Sequence, residues 1–326
     1  MSMSKAIRFH QTGGPDVLRL EHAEVPPPGP LEAQVRQFAC GVNFVDVYQR
    51  SGLYRVALPS GAGSEGAGVV EAVGDQVALV KPGDRVAYAG GPLGAYAELR
   101  NLPADRLVRL PEAIGFDQAA AMMLKGMTVQ YLIRSTYRVA PGDTVLFHAA
   151  AGGVGLIACQ WLKALGATVI GTAGSDEKCR LAREHGADHC VNYRTEDFVA
   201  RVKELTGGEG VPVVYDSVGK ETFAGSIACL RPRGLMVSFG NASGPVPPVD
   251  PALLAQGGSL YLTRPTLFTY VAKRTDLEAS AGELFAAVLA GKVKVDIGRR
   301  YALKDAAQAH RDLEARQTTG ASILVP

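Results

Sequence analysis

The chain has 326 residues, room for about two domains at roughly 150 residues each. Hydrophobic residues make up 47% and charged residues 20%, which excludes a disordered chain and supports a sizeable core. With 34 Lys plus Arg against 32 Asp plus Glu the net charge is +2, too weak a field to point to nucleic acid or a membrane surface as partner.

Residues 1–14 are polar and lack an apolar leader, so no secretory signal is expected. Up to about residue 120 short Val-rich runs alternate with turn signals, and strands are expected at 67–73, 84–89 and 95–99. Lys81-Pro82-Gly83-Asp84 sets a Pro-Gly turn directly before a strand, and Ala140-Pro141-Gly142-Asp143 repeats the device. From Thr144 the rhythm changes to strand 144–148, helix 153–165, strand 168–172, helix 176–185, strand 191–193, helix 198–205, strand 211–216, a helix near 223–230 and strand 234–240. Such a βαβα run demands a parallel sheet, here of five strands. The stretch 145–162 is apolar but broken by His148, glycines and Gln160, and fails as a membrane span. Residues 241–251 are rich in Pro, Gly and Ser, 259–263 is a short β-prone run, helices are expected at 277–290 and 304–316, and 322–325 closes as a strand. The 38 glycines and 19 prolines suit this many strand-to-helix turns and an α/β architecture. Cys40, Cys159, Cys179, Cys190 and Cys229 form no C-x-x-C pair, so reduced thiols and a cytoplasmic location are expected.

Between the strand at 144–148 and the helix at 153–165 lies Ala150-Ala151-Gly152-Gly153-Val154-Gly155, a G-x-G-x-x-G pattern with its first glycine replaced by alanine. Gly152 lets backbone approach a pyrophosphate, Gly155 lets helix pack on strand, and the helix N-terminus faces negative charge. A tight turn without a ligand is the alternative. The second strand ends at Ala173, about twenty residues after the loop, where an NAD-preferring site carries an acid for the ribose 2′-hydroxyl. Ala173 cannot repel a 2′-phosphate, and Gly174-Ser175-Asp176-Glu177-Lys178 adds a hydroxyl and a cation, which favours NADPH over NADH. Asp176 and Glu177 either turn toward the ribose or serve as first-turn partners of the helix dipole, and Lys178 is either a phosphate ligand or a solvated helix residue.

The segments Ala39-Cys40-Gly41-Val42-Asn43-Phe44-Val45-Asp46, Ser51-Gly52-Leu53-Tyr54, Gly63-Ser64-Glu65-Gly66-Ala67-Gly68, Leu124-Lys125-Gly126-Met127-Thr128, Tyr215-Asp216-Ser217-Val218-Gly219 and Val237-Ser238-Phe239-Gly240-Asn241 join the glycine loop in one pattern. Together they resemble the medium-chain dehydrogenase/reductase superfamily and, within it, the zeta-crystallin-like NADPH:quinone oxidoreductases, over residues 6–325. The resemblance implies an α/β protein: a GroES-like β-rich substrate domain from 1–124 and 265–326, and a Rossmann doubly wound parallel-sheet domain binding NADPH at 125–264. It further implies an active cleft between the domains and a homodimer in which 259–263 offers an edge strand. The zinc-dependent branch carries a Cys and a His where this chain has Asn43 and Ser64, and amide or hydroxyl is no normal zinc ligand. Four closely spaced cysteines of the structural zinc lobe are also absent. What remains is reduction of a quinone by NADPH without metal, by hydride or electron transfer from the nicotinamide, with an α,β-unsaturated ketone as the alternative acceptor.

The resemblance assigns site residues by position. Tyr54 falls on the nicotinamide side, as a hydrogen-bonding or stacking phenol or as a half-buried aromatic anchor. Asn43, in the vacated metal position, is read as a contact to cofactor or substrate. Thr128 is expected at a helix start, Gly152, Gly153 and Val154 at the pyrophosphate, and Gly174, Ser175, Lys178 and Tyr193 around the adenosine 2′-phosphate. Ser217, Phe239, Gly240 and Asn241 stand at strand ends, where doubly wound sheets place ligands. Phe268 matches a position near the nicotinamide and Arg316 one near the phosphates. His10, His22, His148, His185, His189 and His310 are scattered, and each is read as structural or surface.

Overall fold

The computed structural model describes residues 2–326, which gather into two compact units. The first runs to Met127 and takes in Val271–Leu289 and Val295–Pro326; the second is Thr128–Tyr270 with Ala290–Lys294.

The spine of the first unit is the long strand Glu32–Val42, paired antiparallel with Glu65–Val73, Leu99–Pro103 and Ala321–Val325. Val35, Val70, Val86, Leu102 and Leu107 close the core on one side, and Ile7, Phe9, Cys40, Tyr96 and Leu324 on the other. The strand expected at 95–99 is not formed: Ala97 makes one bridge to Ala6, and the strand begins only at Leu99. Gly94 has φ +119 there, and that bend breaks the extended run which the apolar pattern suggested. The helix Phe116–Tyr131 carries the chain from the first unit into the second. Ala119, Ala120, Ala121, Met122 and Met123 on it are all buried, so it shows no polar face for a sequence pattern to reveal. Toward the C-terminus the expected helix 304–316 is a 3-10 turn at Leu303–Asp305 followed by a helix over Ala306–Glu314.

The second unit is built on a parallel sheet of β1 (Thr144–Phe147), β2 (Thr168–Ala173), β3 (His189–Asn192), β4 (Val211–Asp216), β5 (Leu230–Ser238) and β6 (Tyr261–Thr263). Their order is β3-β2-β1-β4-β5-β6, the order of dinucleotide-binding sheets. Helices Gly153–Ala164, Asp176–Glu184, Phe198–Leu205 and Phe223–Ala228 supply crossovers. A parallel sheet needs both faces covered, and the buried Val, Leu and Ile of β1, β2 and β4 meet that need. β6 ends the order as an edge of three residues, with Tyr261 62% exposed. No described helix is long and apolar enough to cross a membrane.

At the carboxyl ends of β1, β2 and β4 a buried polar network fixes the rim of this sheet. Asp216 Oδ2 accepts from Thr222 Oγ1 (2.7 Å) and Ser226 Oγ (2.8 Å), and Oδ1 accepts from the backbone N–H of Val218 and Gly219. Because Ser226 gives its proton to Asp216, its oxygen accepts from His148 Nε2 (2.9 Å), and His148 Nδ1 accepts from Thr172 Oγ1 (2.8 Å). One neutral tautomer satisfies every group, and burial lowers the imidazole pKa. His148 is therefore a satisfied core histidine joining three strand ends.

Candidate active site

In the second unit the chain leaves β1 through Ala149, whose φ of 54° is unusual for a residue with a side chain, and enters the helix at Gly153 with Gly152 as its N-cap. A Cβ on Gly155 would lie 2.4 Å from the Ala149 carbonyl oxygen, so the last glycine of the loop is what lets helix and strand meet. Gly152, Gly153 and Val154 keep partial exposure at the helix N-terminus; the Gly152 N–H donates to the Ala149 carbonyl at 2.9 Å, and the first-turn N–H groups that follow suit a pyrophosphate.

The end of β2 carries no carboxylate. Ser175 caps the following helix, its hydroxyl oxygen accepting from the Lys178 N–H at 3.2 Å. Asp176, exposed at the first turn, takes a hydrogen bond from Asn192 Nδ2 at 2.8 Å, which turns it toward β3. The Tyr193 hydroxyl lies over Gly174, where a Cβ would come within 2.7 Å of it, and Arg194 Nε lies close behind. Gly174, Ser175, Tyr193 and the partly exposed Lys178 thus gather at one strand end, together with Arg194, which the sequence pattern did not single out. At the ends of β4 and β5, Gly240 passes so near Ser217 that a Cβ would lie 2.5 Å from its carbonyl oxygen. Arg264 ties this end down: Nη1 donates to the Ser238 carbonyl at 2.9 Å. With the Asn241 amide turned to satisfy both of its ends, Nη2 donates to Asn241 Oδ1 at 3.2 Å. Phe239 packs its ring 5.9 Å from that of Phe147. Phe268 is 42% exposed on the short helix Leu267–Tyr270. Thr128 is not at a helix start: it lies buried in the last turn of Phe116–Tyr131, because that apolar helix begins three turns earlier than the pattern suggested.

In the first unit a polar cluster is buried where the strands Glu32–Val42 and Glu65–Val73 meet the helix Phe116–Tyr131. Asn43 Nδ2 donates to Glu65 Oε2 at 2.8 Å, and Lys125 Nζ donates to Asn43 Oδ1 at 2.7 Å and to Glu65 Oε2 at 3.4 Å. The N–H of Leu124 donates to Glu65 Oε1 at 2.7 Å. Behind Asn43, Asp46 is 2% exposed and accepts from the Asn43 N–H (2.9 Å), the Tyr96 hydroxyl (2.9 Å) and the Ser64 hydroxyl (3.1 Å). The Tyr96 oxygen in turn lies 3.2 Å from His310 Nε2. Burial raises the Asp46 pKa to about 7 against those three donors, and burial with the nearby Arg50 charge lowers that of His310 to about 3. Tyr54 is half-buried, its N–H bonded to the Tyr48 carbonyl and its ring 5.2 Å from that of Tyr48. Tyr48 lies one helical turn beyond Phe44, with ring centroids 6.1 Å apart. Glu65 and Lys125 stand in separate sequence segments 60 residues apart, and only folding brings them together. Arg316 belongs to the first unit and has φ 58° between its last helix and last strand.

This donor set does not fit zinc. Asn43 offers an amide, Ser64 spends its proton on Asp46, and the Lys125 ammonium already holds the oxygens of Asn43 and Glu65 that a metal would need. Among the described residues no three His, Cys, Asp or Glu side chains group as a metal would require. The five thiols are equally unsuited: Cys40, Cys159 and Cys229 are pushed up to about 12 by burial, and burial raises Cys179 and Cys190 as well.

A β-rich unit carrying a buried polar site, joined to a six-stranded dinucleotide-binding sheet, defines a medium-chain dehydrogenase/reductase. Residues 29–112 match the alcohol dehydrogenase GroES-like domain family, and residues 153–281 the family described as zinc-binding dehydrogenase. The chain is 57% identical over 325 residues to the quinone oxidoreductase of Pseudomonas aeruginosa, covering 99% of this chain and 100% of that one. It matches the crystal structure of Escherichia coli quinone oxidoreductase complexed with NADPH with TM-score 0.97 and 52% identity, over 99% and 100% of the two chains. A 2-haloacrylate reductase from Burkholderia is 44% identical over 331 residues, 99% of each chain. The chain belongs to the quinone oxidoreductase family of this superfamily.

The opposed shifts of Asp46 and His310 set a pH signature. Asp46, raised in the folded chain, contributes stability that is present below 3.8 and lost as pH rises toward about 7; His310, depressed, contributes stability present above 6.5 and lost as pH falls toward about 3. Between roughly pH 4 and 6.5 the two slopes cancel. Asp46→Asn removes the falling one, so relative to the parent the variant gains stability with rising pH from 4 to 7, by at most about 1.4 kcal/mol per unit. Urea midpoints across that range read the difference, and parallel curves for the two proteins would refute it.

Proposed function

We infer that this protein is an NADPH-dependent oxidoreductase that reduces quinones. The observation that carries the reading is the end of β2, where Ala173 leaves no carboxylate to repel a 2′-phosphate and Ser175, Lys178 and Tyr193 gather beside Gly174. The helix N-terminus at Gly153 receives the pyrophosphate, and Lys178 places an ammonium beside the 2′-phosphate. Ser217, Phe239, Gly240 and Asn241 line the ends of the sheet for the rest of the dinucleotide, and Thr128, Phe268 and Arg316 complete its contacts. Asn43 and Tyr54 serve the nicotinamide end, where an amide and a phenol hydrogen-bond oxygen atoms. When bound, the cofactor supplies a hydride. A quinone accepts it without a Lewis acid, and its oxygen takes a proton from water, so the absence of a catalytic histidine from any motif matches the chemistry. The Burkholderia relative's name keeps an activated carbon–carbon double bond as the second acceptor class. Five thiols held in the reduced form suit a cytoplasmic enzyme.

The three-residue edge β6, with Tyr261 and Leu262 exposed, supports pairing with the same strand of a second copy. Light scattering at micromolar concentration is expected to give twice the monomer mass, and a monomer would count against that assembly.

For the activity, purified protein is expected to oxidise NADPH with quinones faster than with enones, and to keep its rate after chelator treatment. Stoichiometric zinc lost together with activity would overturn the metal-free reading. Lys178→Ala is expected to weaken NADPH by about tenfold, at the low end of what one hydrogen bond to a charged group contributes because the ammonium is partly exposed, and to leave NADH nearly unchanged. Fluorescence titration with both nucleotides measures this. Equal factors for the two would remove Lys178 from the 2′-phosphate.

A further inference from the structure

Lys125 and Glu65 have no part in the reading above, yet both are ionisable groups sealed inside the first unit, 6% and 0% exposed. Burying an ammonium and a carboxylate is unfavourable unless they are paired and hydrogen-bonded, and an apolar pair of equal volume often serves stability as well. The fold goes to some length to keep them. Gly41 is small where a Cβ would lie 2.0 Å from Glu65 Oε2 and 2.3 Å from the Ala120 carbonyl oxygen. The N–H of Leu124, inside a helix, is given to Glu65 Oε1.

Their geometry has one consistent outcome. Lys125 Nζ, Asn43 and Glu65 Oε2 close a triangle of 2.7, 2.8 and 3.4 Å in which the ammonium meets the amide oxygen and the carboxylate meets the amide nitrogen. A turned amide would place NH₂ against an ammonium and oxygen against a carboxylate, so the pair fixes which end of Asn43 points where. One Nδ2 hydrogen is used by Glu65, and the other is left for an acceptor.

We propose that Lys125 and Glu65 are positioning residues that act through Asn43, locking its amide so that the remaining Nδ2 hydrogen is presented to the substrate oxygen that becomes anionic. Hydride addition to a quinone brings both electrons with it, leaves one ring oxygen negative, and that oxygen is later protonated by water. A donor held in place before the charge appears stabilises it without reorganising. This inference rests on the placing of Asn43 at the nicotinamide end.

The experiment is a double-mutant cycle on the full chain with Lys125→Met, Asn43→Ala and the two combined. Each single change is expected to lower kcat by about tenfold to a hundredfold. The combined variant should be no worse than the poorer single within about twofold, because both changes remove one interaction. NADPH affinity, read by fluorescence titration, should stay within about threefold in Lys125→Met, which general misfolding would not allow. Where Lys125→Met leaves Glu65 unpaired and the chain unstable, Lys125→Met with Glu65→Gln removes both charges and keeps an oxygen for Asn43, and the same loss of kcat is expected. In cofactor-free protein, exchange of the Asn43 side-chain amide hydrogens, followed by ¹⁵N NMR, should accelerate by about tenfold or more in Lys125→Met. Unchanged exchange, multiplying losses in the cycle, or a folded double-charge variant with kcat within about twofold of the parent would each overturn the proposal. A parent protein that reduces no quinone would refute the functional reading instead, while the exchange measurement still judges the positioning.

Discussion

A carboxylate that leaves water must find compensation inside the protein, and each unit of this chain is organised around one that has. In the second unit it is Asp216, at the end of the central strand β4, which accepts four hydrogen bonds and through Ser226 fixes His148 after β1 and, through it, Thr172 on β2. In the first it is Glu65, to which the Asn43 amide converges from one segment and an ammonium and a backbone N–H from the helix Phe116–Tyr131. Losing a partner leaves a charge without an outlet, so these contacts are obligatory in a way that surface pairs such as Arg180 with Glu184 are not.

What this arrangement means for chemistry follows from where the acids lie. Asp216 sits just behind the rim of the sheet, so the loops after β4 and β5 start from fixed points. Arg264 adds a second tether by holding the Ser238 carbonyl. In the first unit Asn43 stands between two acids of different character: Asp46, whose burial keeps it protonated to near neutrality, takes its backbone N–H, while Glu65, beside an ammonium, takes its side-chain amide. The residue is held at both ends before any ligand arrives.

Much of the second unit was legible because a parallel sheet writes itself plainly: β-branched runs of four to six residues, each followed by a helical period, with the glycine loop at the first junction. The first unit was harder to read. The helix Phe44–Ser51 follows a strand with only Asn43 to mark the change, and Phe116–Tyr131 is apolar around its circumference, so neither offers a clean stripe. Apolar alternation at 95–99 suggested a strand that the Gly94 bend prevents. Asn43 stood out by the type of residue at its place; Lys125 did not, since its partner Glu65 comes 60 positions earlier and only folding brings them together. Arg194 and Arg264 escaped for the same reason, each gaining meaning from a strand end that another segment supplies.

The burial of the sulfur atoms has a consequence for self-preservation. Quinones are electrophiles that add to thiolates, and an enzyme turning them over meets them at high local concentration. The thiolate is the reactive form. Burial pushes Cys40, Cys159 and Cys229 up to about 12 and raises Cys179 and Cys190 as well, which disfavours the thiolate that a passing quinone would arylate. The packing that closes the core around Cys40, Cys159, Cys179 and Cys229 also shields those sulfurs from the compounds the protein is proposed to reduce.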